Sequence, residues 1–212
     1  DLVDVIAQAE GFNEKAPDQG FSSFSNFLPS QNKLKQATTM KFLLQALTMA
    51  AIIATGTAEL PDGVVLGETF GGPHGNKYSD VKIVKPAQVV KSVTIRAGER
   101  VNGVGLGVVG LNEPLYHGGR GGDLNTLTFS KDEYVVRMEA HWDEQHSHTR
   151  VFFINFTTNA NNSIYGGTPM ADPALIGKAT APPGYQLGGF DGYAAKELDS
   201  VAAIWTSIKP VE

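Results

Sequence analysis

The chain of 212 residues contains no cysteine. That excludes a disulfide framework, a thiolate metal centre and a cysteine nucleophile. It has no block of consecutive Lys or Arg, and 17 basic against 22 acidic residues leave a net charge of −5. Nucleic acid and anionic membrane surfaces are therefore poor partners. No apolar run reaches the roughly 20 residues of a membrane-spanning helix. Beyond Ala58 no helical period persists, which excludes an α/β enzyme fold. What remains is a globular balance, 42% apolar and 18% charged, with 24 glycines spaced for many tight turns. A chain of this length buries one sizeable core.

The first 58 residues differ from the rest. The stretch MKFLLQALTMAAIIATGTAE opens at Met40 with Lys41, continues apolar to about Thr55, and ends on the small residues Gly56 and Ala58. Residues 40–58 read as a secretory signal-like segment, in preference to a buried amphipathic helix or a signal anchor. Residues 1–39 are rich in Ser, Asn, Gln and Lys and are expected to be a poorly structured upstream segment outside the native product. On this reading the product is secreted and its mature chain starts near Glu59.

From Leu60 the sequence reads as short strands separated by glycine turns: KIVKPAQVVKSVTIRAG, VNGVGLGVVG, LNTLTFS, YVVRMEAHW, TRVFFINFTTN and SVAAIWTSI. In SVTIRAG, Val93 and Ile95 point one way while Thr94 and Arg96 point the other, and RVFFINF alternates similarly. An all-β sandwich, barrel or prism follows. AGERVNGVGL (97–106) and AAKELDSVAAI (194–204) share one pattern, a turn, an Asx residue and an apolar alternation, which suggests internal pseudo-symmetry. In GFDGYAAKELD (189–199) a turn ends on the carboxylate of Asp199.

Together GGPHGNKYSD, VNGVGL, HGGRGGDLNTLTFSKDEYVVRMEAH, FFINFTTNANNSIYGG and GGFDGYAAKELDSVAAIW resemble the jacalin-related lectin family in order and spacing, over residues 59–209. The resemblance implies a β-prism of three four-stranded Greek-key sheets about a pseudo-threefold axis. It implies a sugar site at one end of that prism, built from Gly75, the backbone amides of Lys196 and Glu197, and the Asp199 carboxylate. Ala195 stands where the family has glycine. A positive φ there would cost an alanine about 1 kcal/mol. A second site falls on Gly98, Glu99, Arg100 and Asn102, partnered by HGGRGG. Asn159 and Asn161 fall in a loop that tunes specificity in relatives.

The chemistry of such a site is direct. A carboxylate is acceptor-only and main-chain N–H groups are donor-only, so the two together satisfy hydroxyls that both donate and accept. Tyr193 could cover the apolar face of a sugar ring. The expected function is a secreted, non-enzymatic lectin for hexose-containing glycans of mannose or glucose type, including cell-wall polysaccharide. It needs no cofactor or metal, and homo-oligomers would add avidity. The alternative is a structural or adhesion prism without sugar binding, and a glycosidase comes third. HWDEQHSH (141–148) matches no zinc spacing and reads as a solvated hairpin tip. Asn155 and Asn161 begin N-glycosylation acceptor triplets.

Overall fold

The computed structural model describes residues 59–211, which fall in the compact unit Ala58–Glu212. The signal-like segment 40–58 and the upstream segment 1–39 lie outside the described residues. Twelve strands form three four-stranded antiparallel sheets, a β-prism. β3 (Val90–Ala97), β4 (Val101–Val108), β5 (Leu115–Gly118) and β6 (Asp123–Thr128) form one sheet in the order β5-β4-β3-β6. β7 (Val135–Gln145), β8 (His148–Thr158), β9 (Ser163–Gly167) and β10 (Ile176–Thr180) repeat that order as β10-β7-β8-β9. The third sheet joins both ends of the domain. β11 (Tyr185–Ala194) and β12 (Leu198–Ser207) pair centrally, flanked by β1 (Val64–Gly71) on β12 and β2 (Asn76–Ser79) on β11. In each sheet a hairpin is central and the fourth strand returns beside the first, a Greek key.

The alternation expected in β3 is observed. Val93 and Ile95 are fully buried, while Thr94 and Arg96 are half-buried on the other face. The inward rows of the three sheets, among them Leu106, Ile154, Phe156, Phe190, Leu198 and Ile204, meet in one core. Phe156 and Phe190 bring two sheets together with ring centroids 5.7 Å apart. Among the described residues no helix is long and apolar enough to cross a membrane.

Two expectations about local structure are corrected. Only the second half of KIVKPAQVVKSVTIRAG is a strand. The first half turns back on Asp80, whose carbonyl accepts from Ile83 and Val84 at 2.7 and 3.0 Å. Pro86 brings no N–H to a ladder there. GFDGYA, expected as part of a turn, lies within β11. A Cβ at Gly192 would stand 2.7 Å from the Tyr78 hydroxyl, so this glycine serves close packing rather than chain reversal. The turn itself is only Ala195–Glu197, between β11 and β12.

Candidate functional site

The prism's repeat places one special residue near the start of the second strand of each central hairpin. In β12 the pairing runs Tyr193↔Ser200, then Ala194↔Leu198, so Asp199 is skipped. In β4 it runs Arg96↔Gly103, then Ala97↔Val101, skipping Asn102. In β8 it runs His141↔Phe153, then Trp142↔Val151, skipping Phe152. Each skipped residue is a β-bulge, a device that re-aims a side chain out of the strand's regular alternation. The three are equivalent. Their carbonyls accept from Gly119 for Asn102 (2.8 Å), from Thr168 for Phe152 (2.8 Å) and from Gly72 for Asp199 (3.1 Å). The two turns noted as an echo in the sequence also match, with Gly98 N–H donating to the Arg100 carbonyl and Ala195 N–H to the Glu197 carbonyl, both at 3.0 Å.

The structure brings Gly75 against Asp199. Gly75 has φ +75°, and a Cβ on it would lie 2.5 Å from Asp199 Oδ2 and 2.9 Å from the Ala194 carbonyl oxygen. Only glycine permits that approach. Gly122, φ +67°, stands likewise against Asn102, where a Cβ would come within 2.6 Å of Oδ1. HGGRGG therefore supplies the second turn with the counterpart of Gly75. Phe152 fills the third bulge, with the Arg100 guanidinium 5.8 Å from its ring centroid. No carboxylate or amide is offered there.

Ala195 is exposed and does not occupy the left-handed region. Gly98, its equivalent, does not either. The anticipated cost of alanine therefore does not arise.

Two arginines decide the electrostatics, Arg100 of the expected second site and Arg150, which the sequence reading passed over. Arg150, from β8, donates through Nη1 to Asp199 Oδ1, and its Nε forms an ion pair with Glu197 Oε2 at 3.2 Å. Arg100 grips Glu197 as a fork, Nε to Oε2 at 3.0 Å and Nη2 to Oε1 at 2.8 Å. Arg100, Arg150 and Glu197 occupy equivalent positions in the three repeats, two residues before each bulge. Their ion-paired cluster ties the three hairpins together at this end of the prism. The Arg100 hydrogen bonds, aided by Arg150, hold the Glu197 carboxyl below its usual range despite partial burial. Asp199 goes the other way. It is 1% exposed, and burial pushes its carboxyl above the usual value, against the opposing pull of Arg150, His74 and His148. Its Oδ2 is buried without a hydrogen-bond partner.

His74, from the loop before Gly75, accepts from the Thr149 N–H at 3.0 Å and meets the His148 ring edge-on at 4.9 Å. Of HWDEQHSH only His146 and Ser147 form the hairpin tip, both left-handed at φ 52° and 61°. Residues 141–145 end β7, and His141 is not solvated but buried, accepting from the Met170 N–H at 2.9 Å. The tip is not remote from the site. β8 begins four residues before its bulge and β12 one residue before its own, so this hairpin reaches past the Ala195–Glu197 turn. Between them lies a cleft of about 470 Å³. Lys77 stands over the Tyr193 ring at 5.1 Å, covering one of its faces. The Asn159–Asn162 turn closes the opposite end of β8, about 30 Å from the cleft at ~3.3 Å per residue. There Asn159 Oδ1 accepts from Tyr134 N–H at 3.0 Å.

Comparison with known proteins agrees with this architecture. The chain is 26% identical over 171 residues to Secreted RxLR effector protein 19 of Plasmopara viticola, covering 78% of this chain and 94% of that protein. It is 32% identical over 104 residues to Jacalin-related lectin 44 of Arabidopsis thaliana, which is 47% of this chain but 16% of that longer protein. A mannose-binding jacalin-related lectin from Ananas comosus superposes with a TM-score of 0.56 at 16% identity, over 69% of this chain and 99% of the other. With the Jacalin-like lectin domain model matching residues 67–204, more than half of its length, the chain belongs to the jacalin-like lectin family.

Proposed function

We propose that the domain is a secreted carbohydrate-binding lectin that takes hexose-containing glycans of mannose or glucose type at Asp199. The carboxylate accepts from two neighbouring hydroxyls, while the amides of Gly75, Lys196 and Glu197 donate to their oxygens. One observation carries this reading. A bulge aims Asp199 at a glycine loop, where a Cβ on Gly75 would lie 2.5 Å from an Oδ2 that has no hydrogen-bond partner. A buried acceptor left unpaired is costly, and a hydroxyl donor relieves it. The mannose-binding relative and the lectin family support the sugar class, and the secreted relative supports an extracellular location.

The domain acts without turnover. General acid–base hydrolysis needs a carboxyl pair free to exchange protons, whereas Glu197 and Asp199 are both held by guanidinium groups. The turn Gly98–Asn102 with Gly122 forms a second, weaker site, because an amide oxygen is a poorer acceptor than a carboxylate. Single sites of a few hydrogen bonds bind monosaccharides weakly, so multivalent surfaces such as cell-wall polysaccharide, or homo-oligomers of the chain, supply avidity.

A second reading, a prism kept for structure or adhesion without sugar binding, draws support from Arg150, which already occupies Asp199 Oδ1. A glycan array separates the two. The wild-type protein binds oligomannose or glucan structures and Asp199→Ala loses them by at least about tenfold, roughly 1.4 kcal/mol. An array on which wild type and variant are equally silent favours the structural reading.

A further inference from the structure

We propose that the preferred ligand is an anionic glycan, a hexose chain carrying a sulfate ester or a uronate carboxylate, with the charged group held in the cleft under the β7–β8 tip. This inference rests on the sugar-site reading above and names the substrate class for it.

The cleft walls are Arg100, Arg150, Lys196, His146 and His148, with Glu197 and the Ala195 turn beside them. Glu197 is the one carboxylate of the wall, and two guanidinium groups already neutralise it. It therefore does not repel an anion. Lys196 is exposed and makes no ion pair among the described residues. Of the three permanent cations, Arg100 also pairs with the exposed Glu99 at 4.0 Å and Arg150 with Asp199, so Lys196 is the charge left over for a ligand, on a chain whose net charge is −5. An unpaired ammonium in a concavity, with two guanidinium forks beside it, favours an anion there.

Arg150 gives the second argument. A sugar hydroxyl that takes the place of the Arg150 Nη1 donor on Asp199 Oδ1 frees that donor for another acceptor. A neutral hexose repays Asp199 with hydroxyl donors but leaves Arg150 short of one partner. A ligand with an adjacent anion repays both, because the guanidinium swings from carboxylate to sulfate or uronate, and its fork suits either group. The exchange keeps the number of charge-assisted bonds constant. Tip geometry agrees. His146 and Ser147 hold left-handed φ values that non-glycine residues seldom adopt, and this backbone sets His146 on the rim with His148 beside it.

The test titrates the full chain with a neutral mannose oligosaccharide, its sulfated form and a mannuronate oligomer of equal length, at low ionic strength and again near 1 M salt. His146→Asn, which accepts the same left-handed turn, and Lys196→Gln, which keeps the main-chain amide, are titrated in parallel. We expect one or both charged ligands to bind about tenfold tighter than the neutral one at low salt. The two charged arms tell sulfate from carboxylate recognition. The advantage shrinks near 1 M salt, where screening acts over about 3 Å, and it falls in both variants, with neutral binding unchanged in His146→Asn. Equal affinity for neutral and charged oligosaccharides overturns this inference and leaves the hexose site standing. A charged preference that survives both substitutions also overturns it, because the anion then sits elsewhere. No binding of any of the three overturns the hexose site and this inference together.

Discussion

At Asp199, burial and ion pairing pull the same carboxyl in opposite directions, and burial wins. A sugar-accepting Asp must be ionised, so neutral-hexose binding should fade on acidification at a pH above the ~3.9 of a free aspartate. Affinity measured as a function of pH checks this, and a midpoint at or below the free value contradicts it. The stability linkage has the matching sign. A raised folded-state value favours the fold while the group is protonated, and that contribution is lost as pH rises through it. Arg150→Gln removes the latch. It should raise neutral-hexose affinity several-fold while costing about 1–3 kcal/mol in urea unfolding, because a buried carboxylate loses its charged partner. The sequence showed Asp199 because a carboxylate after a glycine-rich stretch stands out. It hid Arg150, His74 and His148, which lie about 50 to 125 positions away and meet Asp199 only through the prism's closure. One signal was available. Arg100-Val101-Asn102, Arg150-Val151-Phe152 and Glu197-Leu198-Asp199 share a spacing, with Val101, Val151 and Leu198 all fully buried. The echo has three members.

Among the elements, strands with regular alternation such as β3 were legible, and β11 was not. Its glycines look like turn residues, yet they admit Tyr78 and the neighbouring strand. Two contacts between elements lead to measurable expectations. Asp80, 1% exposed, accepts from the Phe190 N–H at 2.9 Å and pairs with His117 Nε2 at 2.9 Å, joining the sheet of β11 to that of β5. Asp80→Ala should cost about 3 kcal/mol in denaturant unfolding, since it strands a buried amide and breaks a buried pair. At the far end, Glu133 accepts from Ser130 N–H (2.9 Å), Asn162 Nδ2 (2.8 Å) and Thr158 Oγ1 (2.8 Å), which lowers its carboxyl to about 2. A depressed value stabilises the fold above the unfolded pKa. That contribution should disappear progressively as pH falls from about 4.5 to about 2. Glu133→Gln should flatten this part of the stability–pH curve.

For the whole molecule, the pseudo-threefold repeat works as an interlock. The strand-linking loops lean on the neighbouring hairpin turns in rotation. A Cβ at Gly72 would meet the Thr149 side chain and one at Gly119 the Lys196 main chain, while the Thr168 N–H donates to the Glu99 carbonyl at 3.1 Å. Because β1 and β2 complete the sheet of β11 and β12, the fold closes on itself within residues 64–207. A chain of residues 59–212 should therefore fold alone, with all-β circular dichroism and one cooperative transition. The prism was legible because five separated motifs kept order and spacing. The closed, arginine-latched state of the site was not, since it depends on which side chains the threefold closure delivers to one end.

The most direct measurement is a crystal structure with a bound hexose oligosaccharide. The account predicts sugar oxygens within hydrogen-bond distance, about 2.5–3.2 Å, of the Asp199 carboxylate and the Gly75 amide, with Arg150 turned away from Oδ1. A sugar bound elsewhere on the prism, with Arg150 still on Asp199, would contradict it.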